Sequence, residues 1–87
     1  MGVIVVSNNI TDNALWKKEN LYVITGKVNV LSGVKLTIES GTKIGFLYLA
    51  TIPEFPIMIF NAGSELEAGC LCAYPVDQQF NKTSYSL

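Results

Sequence analysis

The chain of 87 residues has no histidine and no arginine, and charged residues make up only 15% of it. Histidine is the usual general base and a common metal ligand, so its absence excludes Ser-His and Cys-His catalytic pairs within the chain. Arginine reads guanine and phosphate through paired hydrogen bonds, and with a formal net charge of −1 the chain offers no basic surface for a nucleic-acid backbone. We expect no nucleic-acid partner and no cofactor.

Long apolar stretches are also missing. Residues 2–6 are apolar, but they are too short for the core of a signal peptide and no basic residue precedes them. A membrane-spanning helix needs about 20 apolar residues. We therefore expect no membrane insertion and no signal peptide in this chain.

Cysteine is scarce. Cys70 and Cys72 are the only two, and without histidine they are too few for a zinc site. Two thiols on one strand and two positions apart point the same way, at a spacing that is poor for a disulfide. This pattern favours two small packing residues over metal or redox chemistry.

Hydrophobic residues, in contrast, are abundant. They form 49% of the chain, and the mean hydropathy is +0.35. A domain of this size buries only about 60–65% of its unfolded surface and is marginally stable. The composition is more apolar than such a domain needs alone, so we expect part of the apolar surface to be buried against something else.

Glycines divide the chain into short alternating segments. Gly26, Gly33 and Gly41 are seven or eight residues apart, which is too close for intervening helices and indicates an all-β chain. Residues 14–20 are interpreted as a turn or loop that lays Trp16 over the end of the sheet, and residues 47–55 as a loop. The predicted strands are 3–6, 21–24, 27–30, 34–38, 42–46, 56–60, 64–68 and, last, 75–80.

Two of these segments are related. Residues 30–38 are echoed by residues 60–68, with Gly33 matching Gly63 and Leu36 matching Leu66 at an offset of 63 − 33 = 30 residues. A strand, a glycine turn and a second strand that recur at a fixed interval are typical of stacked β-coils. The inward positions of these strands predict one core, formed by Val28, Val30, Leu36, Ile38, Ile44, Ile59 and Leu66.

Residues 22–26, 28–30 and 33–44 resemble the opening coil of right-handed parallel β-helix proteins. These form the pectin-lyase-like superfamily, especially its large bacterial surface and secreted members. Residues 57–69 are similar to the coil that normally follows, and the most specific piece is Leu36-Thr37-Ile38-Glu39-Ser40-Gly41-Thr42-Lys43-Ile44.

The resemblance implies an incomplete right-handed parallel β-helix of two to three coils with an N-terminal capping segment. Its divisions are a cap at 1–20, coils at 21–80 and a loose tail at 81–87. It also implies an extracellular or cell-surface location. Family members run for many coils, so the chain looks like the first part of a longer protein, with an upper cap from residues 3–6 and Trp16.

The function that this resemblance implies is a non-catalytic structural or adhesive module of a surface, secreted or assembled protein. Two alternatives stay open: the N-terminal part of a carbohydrate-active β-helix enzyme, such as a polysaccharide lyase or hydrolase, and a virion or fibre assembly subunit. β-Helix lyases use calcium-binding aspartates and a basic residue, whereas Asp12 and Asp77 are far apart here. We assign no catalytic, cofactor-binding or metal-binding residue.

Glu65 and Glu67 form the one carboxylate pair of interest. Two strand positions separate them by about 6.6 Å, within the range of about 6.5–9.5 Å for inverting glycosidases. Any Glu-x-Glu strand has this spacing, which favours an ordinary solvated face. The repeat aligns Lys35 with Glu65, where we expect a weak ion pair between coils.

The open end of a short stack predicts its partners. Unpaired parallel strand edges invite another chain, so we expect further β-helix coils or self-association, with carbohydrate as a further candidate. The exposed apolar section is predicted to include Leu66, Ala68 and Val76. Asn9 and Asn81 each begin a glycosylation acceptor pattern, which matters only in a eukaryotic secretory route.

Overall fold

The computed structural model describes residues 2–47 and 55–82, and within these ranges the chain forms β-strands and no helix. The all-β prediction is confirmed. Most of the predicted 47–55 loop and of the predicted 81–87 tail lies outside the described residues. The strands are β1 (Gly2–Val6), β2 (Ala14–Trp16), β3 (Asn20–Ile24), β4 (Lys27–Val30), β5 (Lys35–Ile38), β6 (Lys43–Leu47), β7 (Ile57–Phe60), β8 (Glu65–Ala68) and β9 (Cys72–Val76).

The strands belong to three sheets, and the chain visits these sheets in turn. Sheet 1 has the order β1-β3-β6-β9, sheet 2 is β4-β7, and sheet 3 is β2-β5-β8. All strand pairs within them are parallel. Ile10 takes the place of a strand above β4, because it forms a single parallel bridge to Val30. We call the β1 and β2 side the upper end and the β7, β8 and β9 side the lower end.

The predicted register of the two related segments is confirmed. Lys35 is the partner of Glu65, and Leu36 is the partner of Leu66. The turns before these strands also lie one above the other, since the N–H of Gly33 donates to the carbonyl of Gly63 over 3.0 Å. Both glycines have positive φ, 84° and 89°, which other residues adopt only with strain.

The interval of 30 residues is not constant through the stack. Ala14 pairs with Leu36, an offset of 36 − 14 = 22 residues. The connection between β3 and β4 is only Thr25 and Gly26, whereas the one between β6 and β7 covers residues 48–56. The longer interval is therefore a round of about 22 residues with an insertion between β6 and β7.

Side chains from all three sheets and one turn form the main core. Its buried members are Trp16, Tyr22, Ile24, Val28, Val30, Val34, Leu36, Ile38 and Ile44. A second cluster lies on the opposite face of sheet 1, where Leu21, Val23 and Val76 are buried against Leu47, Tyr74 and Phe80. Strand β3 is therefore covered on both faces, which explains its continuous apolar sequence.

Five of the seven predicted core residues are buried, and two are not. Ile59 is half-buried because it pairs with Asn29 on the outward row, and Met58 packs against the core instead. Leu66 lies in the predicted row beneath Leu36, but it is 49% exposed because no described strand lies below β8.

The upper end also differs from the sequence interpretation. Residues 3–6 were expected to form a buried strand, yet Val3, Ile4 and Val5 are 46%, 42% and 51% exposed. They belong to β1, whose described partner is β3 on one side. Trp16 ends strand β2 rather than lying in a loop, because Ala14–Trp16 pairs with β5.

A short reversal follows β9 at the lower end. The carbonyl of Asp77 accepts from the N–H of Phe80, and Lys82 then forms an antiparallel bridge with Val76. Val76 is buried and only 2% exposed, so its predicted place in the open apolar section is wrong. The predicted last strand, 75–80, is replaced by β9, which ends at Val76.

Candidate functional site

The carboxylate pair on β8 lies on the outer face of sheet 3, and both glutamates are exposed. Lys35 on β5 makes its ion pair with Glu67, at 2.8 Å between Nζ and Oε2. Glu65, the aligned partner of Lys35, forms no ion pair in the described part of the chain. The expected contact between coils is therefore present but diagonal.

The ion pair fixes the protonation states of its two members. The hydrogen bond from Lys35, followed by its positive charge, lowers the pKa of Glu67. The same hydrogen bond and the charge of Glu67 raise the pKa of Lys35. A general acid needs a raised carboxyl pKa, so the shift at Glu67 is in the wrong direction for that role.

The two aspartates are in different parts of the stack. Asp12 lies between the Ile10 bridge and β2. Asp77 follows β9, and its Oδ1 accepts from the backbone N–H groups of Gln79 and Asn81 at 2.9 and 3.0 Å. Asp77 therefore stabilises the reversal. Within residues 2–47 and 55–82, no group of three or more His, Cys, Asp or Glu side chains is arranged to hold a metal ion.

Both cysteines are free and exposed, so they are not packing residues. Cys72 begins strand β9, whereas Cys70 lies at a bend before it. Their expected placement on one strand is therefore wrong. The carbonyl of Cys70 accepts from the N–H of Gly41 at 2.7 Å, and the N–H of Cys72 donates to the carbonyl of Thr42 at 3.1 Å.

The aromatic side chains serve the core. Trp16 is buried and stacks on Tyr22, with ring centroids 4.4 Å apart and an angle of 6° between the planes. The hydroxyl of Tyr22 accepts from the backbone N–H of Lys17. Tyr74 lies under the ammonium group of Lys82 at 5.5 Å, and Tyr48 and Tyr85 are outside the described residues. This arrangement leaves Trp16 no free face for a sugar ring.

Asn9 also has a structural contact. Its Oδ1 accepts from the backbone N–H of Asn29 at 3.0 Å, and Asn13 does the same for the N–H of Lys35 at 2.8 Å. Both amides thus join the upper connections to the next round of the chain. In the described ranges no helix has the length and hydrophobicity needed to cross a membrane.

No protein-family model, curated protein or solved structure matches this chain. Function is therefore inferred from the geometry of these residues.

The lower end is the surface with the clearest unmet packing. Phe60 and Leu66 are 38% and 49% exposed, although they occupy the same inward rows as Val30 and Leu36, which are fully buried. Ala68, beneath Ile38, is exposed as well. Apolar burial contributes roughly 25 cal/mol per Å², so another layer of strands below this end is favourable.

Proposed function

We propose that the chain is a non-catalytic module of a right-handed parallel β-helix, which acts in a structural or adhesive protein by presenting and stacking coils. One observation carries this proposal. The chain visits three parallel sheets in turn, and β2, β5 and β8 succeed one another in a single register. The right-handed sense rests on the strong preference of parallel crossovers, about 98% of which have that hand.

The charges on the outer face support a non-catalytic role. Glu67 is held ionised by Lys35, and Asp77 is engaged by two backbone N–H groups. A hydrolase needs one proton donor and one base or nucleophile that converge on a bond. In the described part of the chain, the paired carboxylates lie on an open, solvated strand face instead.

The lower end is completed, in this proposal, by another parallel coil. For the 87-residue chain alone, that coil is supplied by a second copy stacked head to tail. Continuing the register of sheet 3 places Leu66 beside Ala14 of the second copy and Ala68 beside its Trp16. Each large side chain then meets a small one, which is the complementarity that close-packed interiors require.

Sedimentation velocity at micromolar concentration tests this stacking. The wild-type chain should associate, and Leu66→Lys should weaken association because it places a charge in the apolar section. Ile57→Lys is the matched control, since Ile57 is 47% exposed but pairs with Lys27 on the outward row. A wild-type chain that stays monomeric with a sharp thermal transition would contradict stacking.

A second experiment addresses the catalytic alternative. Polygalacturonate and related polysaccharides should show no turnover with the chain, with or without calcium. Turnover that is abolished in Glu65→Gln or Glu67→Gln would replace the structural proposal with an enzymatic one. Turnover that survives both substitutions would indicate a contaminating enzyme, and the structural proposal would stand.

A further inference from the structure

Two exposed thiols lie close together in sequence and in the fold, at the beginning of β9. Cys70 and Cys72 are both free and exposed. Two backbone hydrogen bonds to the preceding round, from Gly41 to Cys70 and from Cys72 to Thr42, lie on either side of Leu71. The backbone of this three-residue segment is thus held in place while its thiols face solvent.

The separation of the two cysteines is compatible with a disulfide. Residues two positions apart are at most about 6.4–6.8 Å apart at their Cα atoms, even in a fully extended strand. Disulfides bridge Cα atoms about 4.4–6.8 Å apart. Leu71 is not part of the strand, so the segment does not have to keep the extended geometry that makes such a bridge poor.

We propose that Cys70 and Cys72 form a redox-active dithiol, which a low-molecular-weight disulfide oxidises reversibly to an intrachain disulfide. The thiolate of one cysteine attacks a sulfur of the oxidant and releases one thiol. The neighbouring thiolate then attacks the resulting mixed disulfide and releases the second thiol. The protein loses two electrons and two protons, and the oxidant gains both.

Exposure makes this disulfide reducible as well as accessible. Exposed or strained disulfides have more oxidising potentials than buried structural ones, so thiols reduce them readily. The three-residue ring would join the bend at Cys70 to the first residue of β9. This inference does not depend on the β-helix proposal, because it requires only the local geometry of residues 70–72.

Oxidised glutathione is the probe for this site. The folded chain is incubated with it, the remaining thiols are alkylated, and the intact mass is measured. The expected product has lost two hydrogen atoms, carries no alkyl group, and regains both alkylation sites after treatment with dithiothreitol. The variants Cys70→Ser and Cys72→Ser should each stop at one glutathione adduct.

Three outcomes would overturn the proposal. The first is a wild-type chain that carries two glutathione groups, which would show two independent thiols. The second is a covalent dimer, which would place the bond between chains. The third is an intrachain disulfide that forms only in urea, because the folded segment would then oppose the bridge.

Discussion

Leu36 is the residue whose truncation tests the core most severely. Its side chain is fully buried, with Ala14 above it and Leu66 below it in sheet 3. Replacing such a leucine by alanine costs about 2–5 kcal/mol, from lost transfer energy and the cavity left behind. At about 0.05–0.15 kcal/mol per residue, a chain of 87 residues has about 4–13 kcal/mol of stability. Leu36→Ala should therefore remove a large part of the stability, or all of it.

Urea denaturation followed by far-ultraviolet circular dichroism measures this loss. Leu66→Ala is the matched control, because it makes the same change one position lower in the same row, where the side chain is 49% exposed. At concentrations too low for association, it should cost less than half as much as Leu36→Ala. A Leu36→Ala transition equal to that of the wild type, or a larger loss for Leu66→Ala, would refute the inward row.

Gly45→Ala should destabilise the chain by about 1–3 kcal/mol through overpacking, because an added Cβ would lie 2.7 Å from a methyl group of Val76. Gly26→Ala, where nothing lies within 4 Å of the added carbon, should not show this loss in the same melts. The Lys35–Glu67 pair should stabilise the chain between pH 4.5 and 10.5, the ordinary pKa values of the two groups. That stabilisation is lost as the pH falls through the lowered pKa of Glu67 or rises through the raised pKa of Lys35, so Glu67→Gln should flatten both limbs of the stability profile.

Local chemistry made much of the strand order and register predictable. A glycine at each turn and alternating side chains between turns depend on neighbours in sequence, so Lys27–Val30 and Lys35–Ile38 follow from the pattern alone. The second glycine turn then aligned Lys35 with Glu65. These features are set within a few residues of each position.

The ends of the stack were less predictable, because burial there depends on what lies above or below. Leu66 has the same chemistry as Leu36, yet it is half exposed. The bridge between Val76 and Lys82 required a left-handed residue, Phe80 with φ of 65°, which its residue type does not suggest. Gly45 did carry a readable signal, since glycine inside a strand often marks a close approach.

The candidate site was predictable only in its chemistry. The sequence placed Glu65 and Glu67 on one outward face, as observed, but the choice of Glu67 by Lys35 depends on side-chain rotamers across two strands. The cysteines were misplaced because the strand was assumed to begin before Cys70. One residue of error at a strand boundary thus changed the expected chemistry of the pair.

The most direct test of the stacked parallel architecture is the pattern of nuclear Overhauser contacts between β5 and β8 in isotope-labelled protein. Parallel pairing in the present register predicts contacts between Hα and amide protons that link Leu36 with the residues around Leu66. The same pattern should link β5 to β2, around Ala14. Close Hα–Hα contacts typical of antiparallel strands, or a register displaced by one residue, would contradict the account.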